Sequence, residues 1–310
     1  MSAKKYLLII NPTAHNGDAA KQSNKIISIL KNKNIDFDLK YTQRKFHAID
    51  IAKYYRKDYE TIVAVGGDGT IAEVITGLLI DNETGAKAKL GVIHVGTSPD
   101  FNKYHRIPTK IDEAIKTILK GKTKLIDIGK ITYFSEPNSK EKTVSYFASN
   151  VNIGLGPLIA GKANSRFRKY LGDFLGTLTA FLVSLASLKK FNLEIDIDGQ
   201  ANQFSRLINL TVGKDPFLAS GMRVFSKIRP DDGKLYIFSA AITSSLRFLA
   251  NIPKLYCGDF LRYDGAKINY GQKVKINYCQ NYPQVEFDGD VKGYLPAMVE
   301  VIPKALEVIA

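Results

Sequence analysis

Cysteine is scarce: the 310 residues hold two, Cys257 and Cys279. Neither stands at a spacing that suits a metal, and the pair makes no disulfide framework, so a reducing cytosol is the default compartment. Long hydrophobic runs are missing too. The longest apolar stretch, FLGTLTAFLVSLASL from Phe174 to Leu188, falls short of the ~20 residues that span a bilayer and reads as a buried helix. The opening MSAKKYLLIINPT carries an apolar run too short for a signal-peptide core and better suited to a first strand. Repeats, low-complexity segments and long linkers are absent. The common nucleotide signatures are absent as well. GKT at Gly121 lacks the upstream glycine of a P-loop, and GLGPLIA at Gly154 lacks the third glycine of a dinucleotide fingerprint. Basic residues are scattered and no aromatic-rich RNA motif accompanies them, which argues against a nucleic-acid partner.

Acidic residues are the minority, 30 against 44 basic ones, for a formal net charge of +14. A balance of that size favours a polyanionic neighbour such as an anionic membrane surface or phosphate-bearing ligands. Hydrophobic residues make up 45%, enough for one large core or two moderate ones.

Two textures divide the chain. Up to about Asp127, short apolar runs alternate with helical patterns: YLLIIN, FDLKYT, TIVAVGG, KLGVIHVG and KLIDIGKI are separated by amphipathic stretches. That alternation predicts an α/β domain with a parallel sheet, whose ligands bind beyond the carboxyl ends of the strands. NPTAHNG, GGDGT and GTSPD all fall at such ends. From 128 onward, period-two segments such as NLEIDIDGQ and AKINYGQKVKINY are punctuated by Asp198-Gly199, Asp232-Gly233 and Gly271. These predict a mainly antiparallel β-sandwich or open barrel.

The most informative stretch is VAVGGDGTIAEVITGL, residues 63–78. A glycine-rich turn from a strand into a helix aims backbone amides at an anion, and the helix N-terminus adds favourable partial charge. A carboxylate inside that corner, Asp68, is repulsive beside phosphate unless it holds Mg²⁺ or handles a proton. The same letters also read as a plain helix start, because Thr70 and Glu73 have capping-box spacing. His94 and His105 lack partners at metal-binding spacing.

The stretch resembles the G-G-D-G-T signature of the diacylglycerol kinase catalytic-domain family of lipid kinases, shared more distantly with NAD kinases and phosphofructokinases. The likeness continues in order through NPTAHNGDAAK, YTQRKFHAIDIAK, GVIHVGTSPDF, SGMRVFSKIRPDDGKLYIF and VEFDGDVKGYLPAMVEVIPKALEVI. It implies an NAD kinase-like first domain, residues 1–127 with a returning segment 294–310, and a lipid-substrate domain, 128–293. It implies ATP in the cleft between them and transfer of its γ-phosphoryl group to a hydroxyl of a membrane lipid such as diacylglycerol. Gly66, Gly67, Gly69 and Thr70 would meet the phosphates, with Glu73 nearby and Asn11, Thr42 and Thr97 lining the nucleotide site.

In the same resemblance Asp290 is the general base and Asp68 the other catalytic carboxylate. Asp68, Asp100 and Asp127 would organise Mg²⁺. Asp232, with the backbone oxygens of Arg229 and Lys234, would hold a second, structural cation, although the bare sequence there reads as a hairpin turn. Several positions depart from the pattern: Asp290 stands where the family has Glu, Pro99 where it has Asn, His94 where it has Pro, and Lys214 where Asn is frequent. An NAD kinase-like enzyme and a catalytically weak lipid- or nucleotide-binding homologue therefore stay open as alternatives. The cluster Lys162, Arg166, Arg168 and Lys169 suits an anionic leaflet or a solvated helical face. A cytoplasmic protein, peripheral at the inner membrane face, is expected; its oligomeric state is open, a homodimer included.

Overall fold

A computed structural model describes residues 4–81, 88–96, 98–137, 139–162, 175–176, 179–185, 188–218, 222–224, 226–242, 244–251, 253–254, 263–279 and 284–310. The chain divides into two compact units, residues 1–128 with 303–310 and residues 129–302. The return to the first unit begins at Pro303, later than the expected 294. The reason is that Ala297 to Glu300 still pair with Ile276 to Lys273 of the second unit.

The first unit alternates strands and helices: β1 Lys4–Ile10, α1 Asp18–Asn32, β2 Asp38–Tyr41, α2 His47–Tyr55, β3 Tyr59–Gly66, α3 Asp68–Leu79, β4 Lys89–His94, α4 Asp100–His105, α5 Ile111–Lys120 and β5 Thr123–Phe134. β1 pairs in parallel with β2 and β3, β3 pairs in parallel with β4, and Val308 of the last strand lies opposite Leu90. On one face, Leu8, Ile10, Val63, Val65 and Ile93 pack against Ile26 and Leu30 of α1 and Ile115 and Ile118 of α5. Leu7 and Ile9, pointing to the other face, are fully buried as well. Burial on both faces explains why these strands are continuously apolar instead of alternating. Because the strands run parallel, the loops after β1, β2, β3 and β4 leave from one edge of the sheet.

The second unit holds the end of β5, then β6 Thr143–Phe147, β7 Asn150–Gly154, α6 Leu155–Lys162, β8 Phe191–Ile197, β9 Gln200–Gly213, β10 Phe217–Leu218, β11 Met222–Arg223, β12 Leu235–Ala241, a short helix Ser245–Asn251, β13 Ala266–Gly271, β14 Lys273–Ile276, β15 Gln284–Phe287 and most of β16 Asp290–Ile309. Its pairings are antiparallel, and the series β8, β9, β7, β15, β16, β14 returns to β8. Two long strands make this closure. β9 pairs with β8 over its first half and with β7 and β12 over its second, while β16 passes from β15 to β14. The enclosed core includes Phe147, Ile153, Ile195, Leu210, Ile237, Val285 and Phe287.

Residues 179–185 are helical, with Ala180 and Phe181 buried. Leu182 and Val183 are 48% and 43% exposed, so this segment is two-faced where the sequence reading expected burial all round.

Candidate active site

The corner after β3 is built by backbone, not by a side-chain cap. Gly67 is the N-cap of α3, extended at φ −83° and ψ −177°, and its carbonyl accepts the N–H groups of Thr70 (2.9 Å) and Ile71 (3.1 Å). The capping box read from Thr70 and Glu73 does not form, because α3 starts at Asp68 and both residues already lie within the helix. Each serves another element. Thr70 Oγ1 accepts Asn11 Nδ2 at 3.0 Å. The Glu73 carboxylate accepts the N–H groups of Phe46 (3.1 Å) and Ala48 (3.3 Å), the orphan donors at the start of α2. Phe46 sits there in the left-handed region at φ 66°.

Asn11 is a bracket for the edge of the sheet. Its N–H donates to Val65 O (3.0 Å), and its Oδ1 accepts Thr13 N–H (3.1 Å) and Thr13 Oγ1–H (2.8 Å). Thr42, just past β2, donates its N–H to Ile10 O at 2.9 Å. The glycines divide into two kinds. A Cβ on Gly66 would lie 2.5 Å from Thr70 Oγ1, and one on Gly96 would lie 2.8 Å from Gly67 Cα, so the loops after β3 and β4 meet backbone to backbone. At Gly69 a Cβ would meet nothing within 4 Å. That face of the helix start is open.

Asp68 and Asp100 are brought together. Asp68 Oδ2 accepts the Asp100 N–H at 3.2 Å. Asp100, itself buried, accepts Ser98 Oγ–H at 2.9 Å and lies 3.4 Å from Lys103 Nζ. Sequence reasoning missed His94: it is buried, with Nε2 3.6 Å from Asp68 Oδ1. The signal was available, since His94 is one of the departures from the family pattern beside the site. His105 instead packs its ring on Phe101, centroids 4.3 Å apart. Asp127 is buried and accepts the N–H of Lys304, in left-handed conformation at φ 49°, at 2.8 Å. It thus ties down the returning strand. Thr97, Arg166, Arg168, Lys169 and the side chain of Lys162 lie outside the described residues.

The first-unit donor set fits magnesium. Asp68 and Asp100 are hard oxygen donors, few in number, at the edge of an open helix start. Mg²⁺ favours one or two carboxylates completed by water and phosphate oxygens. Among the described residues no three His, Cys, Asp or Glu side chains form an all-protein cage.

In the second unit, Asp290 opens β16 directly after a two-residue turn. Asp288 (φ 51°) and Gly289 (φ 86°) both take positive φ, and Phe287 pairs with Asp290. This is the geometry of a type I′ hairpin, which Asp-Gly favours. Beneath the turn lies a polar layer that sequence reasoning missed. Glu286 is buried, its Oε1 accepting Gly289 N–H and its Oε2 accepting Asn152 Nδ2, both at 2.7 Å. Asn152 Oδ1 accepts Thr211 Oγ1–H at 2.6 Å, and Asn152 Nδ2 also donates to Asn150 Oδ1 at 2.8 Å. Burial pushes the Glu286 carboxyl up to about 7 and that of Asp288 up to about 6. No signal in the sequence showed it: Asn150, Asn152, Thr211 and Glu286 alternate with the core residues Val151, Ile153, Leu210, Val212, Val285 and Phe287, so period two reads them as a solvent face, and only tertiary packing buries them.

Around the 229–234 turn, Asp232 Oδ2 accepts Arg229 N–H (2.9 Å) and Oδ1 accepts Lys234 N–H (3.2 Å). The buried Lys214 ammonium donates to Asp232 Oδ1 (2.6 Å) and to Lys234 O (3.0 Å). Burial raises the Asp232 carboxyl, but Lys214 and the two N–H groups outweigh it and hold the group below its ordinary value.

Two family models meet this chain in sequence. Residues 5–131 match the diacylglycerol kinase catalytic domain, and residues 150–310 match the YegS C-terminal NAD kinase beta sandwich-like domain. Together these two matches place the chain in the diacylglycerol kinase catalytic-domain family, and so among the lipid kinases. It is 26% identical over 310 residues to a diacylglycerol kinase of Staphylococcus carnosus (strain TM300), covering 98% of this chain and 94% of that one. It is 27% identical over 307 residues to one of Staphylococcus haemolyticus (strain JCSC1435), covering 97% and 86%. Among solved structures, a diacylglycerol kinase from Bacillus anthracis str. Sterne superposes with a TM-score of 0.75 at 23% identity, covering 100% of this chain and 98% of that one. Yeast NADH kinase complexed with NADH superposes at 0.56 and 12% identity, covering 100% and 84%. At those identities the structural likeness is one of fold. No helix among the described residues is long and apolar enough to cross a membrane.

Proposed function

We propose that this kinase transfers the γ-phosphoryl group of ATP to a hydroxyl of a membrane lipid such as diacylglycerol, working at an anionic membrane surface on the cytoplasmic side. The carrying observation is the Asp68–Asp100 pair beside the open face at Gly69. The α3 N-terminus offers N–H groups and partial positive charge to a phosphate, and no Cβ at Gly69 obstructs its approach. Asn11 and Thr70 hold the two loops that border it. Asp68 and Asp100 would hold Mg²⁺, whose chemistry is to neutralise the charge that develops on the transferring phosphoryl group. Phosphoryl transfer needs positioning and little covalent help, which suits a site made of backbone and carboxylates. Asp290 is assigned the hydroxyl proton. As Asp, its carboxylate is set back by about one carbon–carbon bond, and about 1 Å of misplacement can cost on the order of a hundredfold in rate. The hairpin that carries it must therefore set its position. The net charge of +14 and the exposed Leu182 and Val183 support contact with an anionic leaflet.

The test is incubation with [γ-³²P]ATP, magnesium and mixed lipid vesicles. Label is expected in the organic extract. Asp68→Asn and Asp290→Asn proteins that keep the wild-type melting temperature should lose at least ~100-fold of it. Equal labelling by those variants would remove the residue assignments, and a water-soluble product made without vesicles would replace the lipid reading with a nucleotide kinase.

A further inference from the structure

The residues of the 229–234 turn do not fit a divalent ion as they stand. We infer that Lys214 is the resident cation of this turn: its ammonium fills the space between Asp232 Oδ1 and Lys234 O, so the β unit needs no metal there. Lys214 follows directly on β9, and its chain is held by Lys214 N–H donating to Ser149 O at 2.8 Å. Its side chain is 2% exposed and that of Asp232 13%. A buried ammonium demands a counter-charge and acceptors for its protons. Here Asp232 supplies the charge and Lys234 O a second acceptor, at 2.6 and 3.0 Å.

A divalent ion would need those same two oxygens. Mg²⁺ sits about 2.1 Å from its ligands and Ca²⁺ about 2.4 Å, so neither can share them with an ammonium already in hydrogen-bond contact. Binding would expel Lys214 from a buried pocket. The other Asp232 oxygen is committed too, to Arg229 N–H, and this closes the 229–232 turn onto the carboxylate. The turn is thus organised around one positive charge supplied by the chain itself. Asp232→Asn would leave that charge buried beside a neutral amide.

The inference is independent of the proposed reaction, because its test uses the full chain without nucleotide or lipid. Thermal unfolding of the wild type should give the same melting temperature, within about 1 °C, in EDTA and in millimolar MgCl₂ or CaCl₂. Lys214→Asn, which shortens the side chain and vacates the pocket, should melt roughly 10 °C lower in EDTA. It should recover at least half of that loss when either cation is added. Lys214→Met, which fills the pocket with an apolar chain, should melt lower with no cation recovery. A wild type that loses stability in EDTA and regains it with a divalent ion overturns the inference. So does a Lys214→Asn protein as stable as wild type in EDTA. Should both variants fail to fold, metal analysis of the exhaustively dialysed wild type decides. Less than 0.1 divalent ion per chain supports the assignment, and a stoichiometric ion whose removal lowers the melting temperature refutes it.

Discussion

Asn11 Nδ2 donates to Thr70 Oγ1 at 3.0 Å, joining the loop after β1 to the first turn of α3. The two residues are 59 apart in sequence, yet this bond sets the spacing of two loops that border the open helix start. Asn11→Ala removes it together with the acceptor of both Thr13 bonds. A partly buried hydrogen bond of this kind contributes about 1 kcal/mol. Chemical denaturation should register a loss of that size, and ATP titration of the variant should show affinity falling by more than the ~5-fold that 1 kcal/mol represents, since the loop it frees borders the proposed phosphate site. Affinity unchanged alongside lost stability would make Asn11 purely structural.

Gly69 and Gly96 should behave oppositely. Gly69 lies within α3 with open space around its missing Cβ, so Gly69→Ala is expected to stabilise the fold by about 0.5–1 kcal/mol while weakening ATP binding. Gly96→Ala would bring a new Cβ within 2.8 Å of Gly67 Cα and 3.0 Å of the His94 ring, and should lower stability by about 1–3 kcal/mol. Melting curves and nucleotide titrations of both variants check the pair. Tighter or equal ATP binding in Gly69→Ala would show that no phosphate approaches that face.

Glu73 receives two backbone N–H groups at the head of α2, and so acts on that helix as an N-cap supplied from a neighbouring helix. Glu73→Ala should cost about 1 kcal/mol, as lost caps do. Hydrogen exchange should rise first at Ala48 and its neighbours in α2. Protection unchanged there would argue that the cap contributes nothing.

Glu286 makes stability depend on pH. Burial raises its carboxyl from 4.5 to about 7, against the hydrogen bonds from Asn152 and Gly289 that favour the charged form. The folded chain therefore holds this proton more tightly than the unfolded one. The contribution is fully present below pH 4.5 and is lost as pH climbs through about 7. The loss is on the order of 3 kcal/mol. Asp288, raised to about 6 by burial, acts in the same direction. Unfolding free energies measured from pH 5 to pH 8 should fall for the wild type and fall less for Glu286→Gln. Parallel curves would show that Glu286 does not carry the effect.

Local patterns in the sequence determined a good deal. The apolar runs ended by Asn11, Gly66 and His94 mark strands whose carboxyl ends carry loops, and the Gly-Gly-Asp-Gly corner leads from strand to helix as glycine's free φ and missing Cβ allow. Asp288-Gly289 makes the turn its dipeptide favours. These are properties of a few neighbouring residues, and spacing alone reveals them. Partnerships over long separations were decided by tertiary structure. Thr70 and Glu73 have capping-box spacing but bond to Asn11 and to the head of α2, because the helix begins earlier and leaves their side chains facing other elements. Asp127 holds Lys304, His94 lies beside Asp68, and Glu286 is buried among asparagines. Lys214, a letter that merely departs from the family pattern, finds its counter-charge only where β9 places its ammonium against Asp232. A side chain's charge is written in the sequence, but the acceptor that satisfies it depends on which strands pack together.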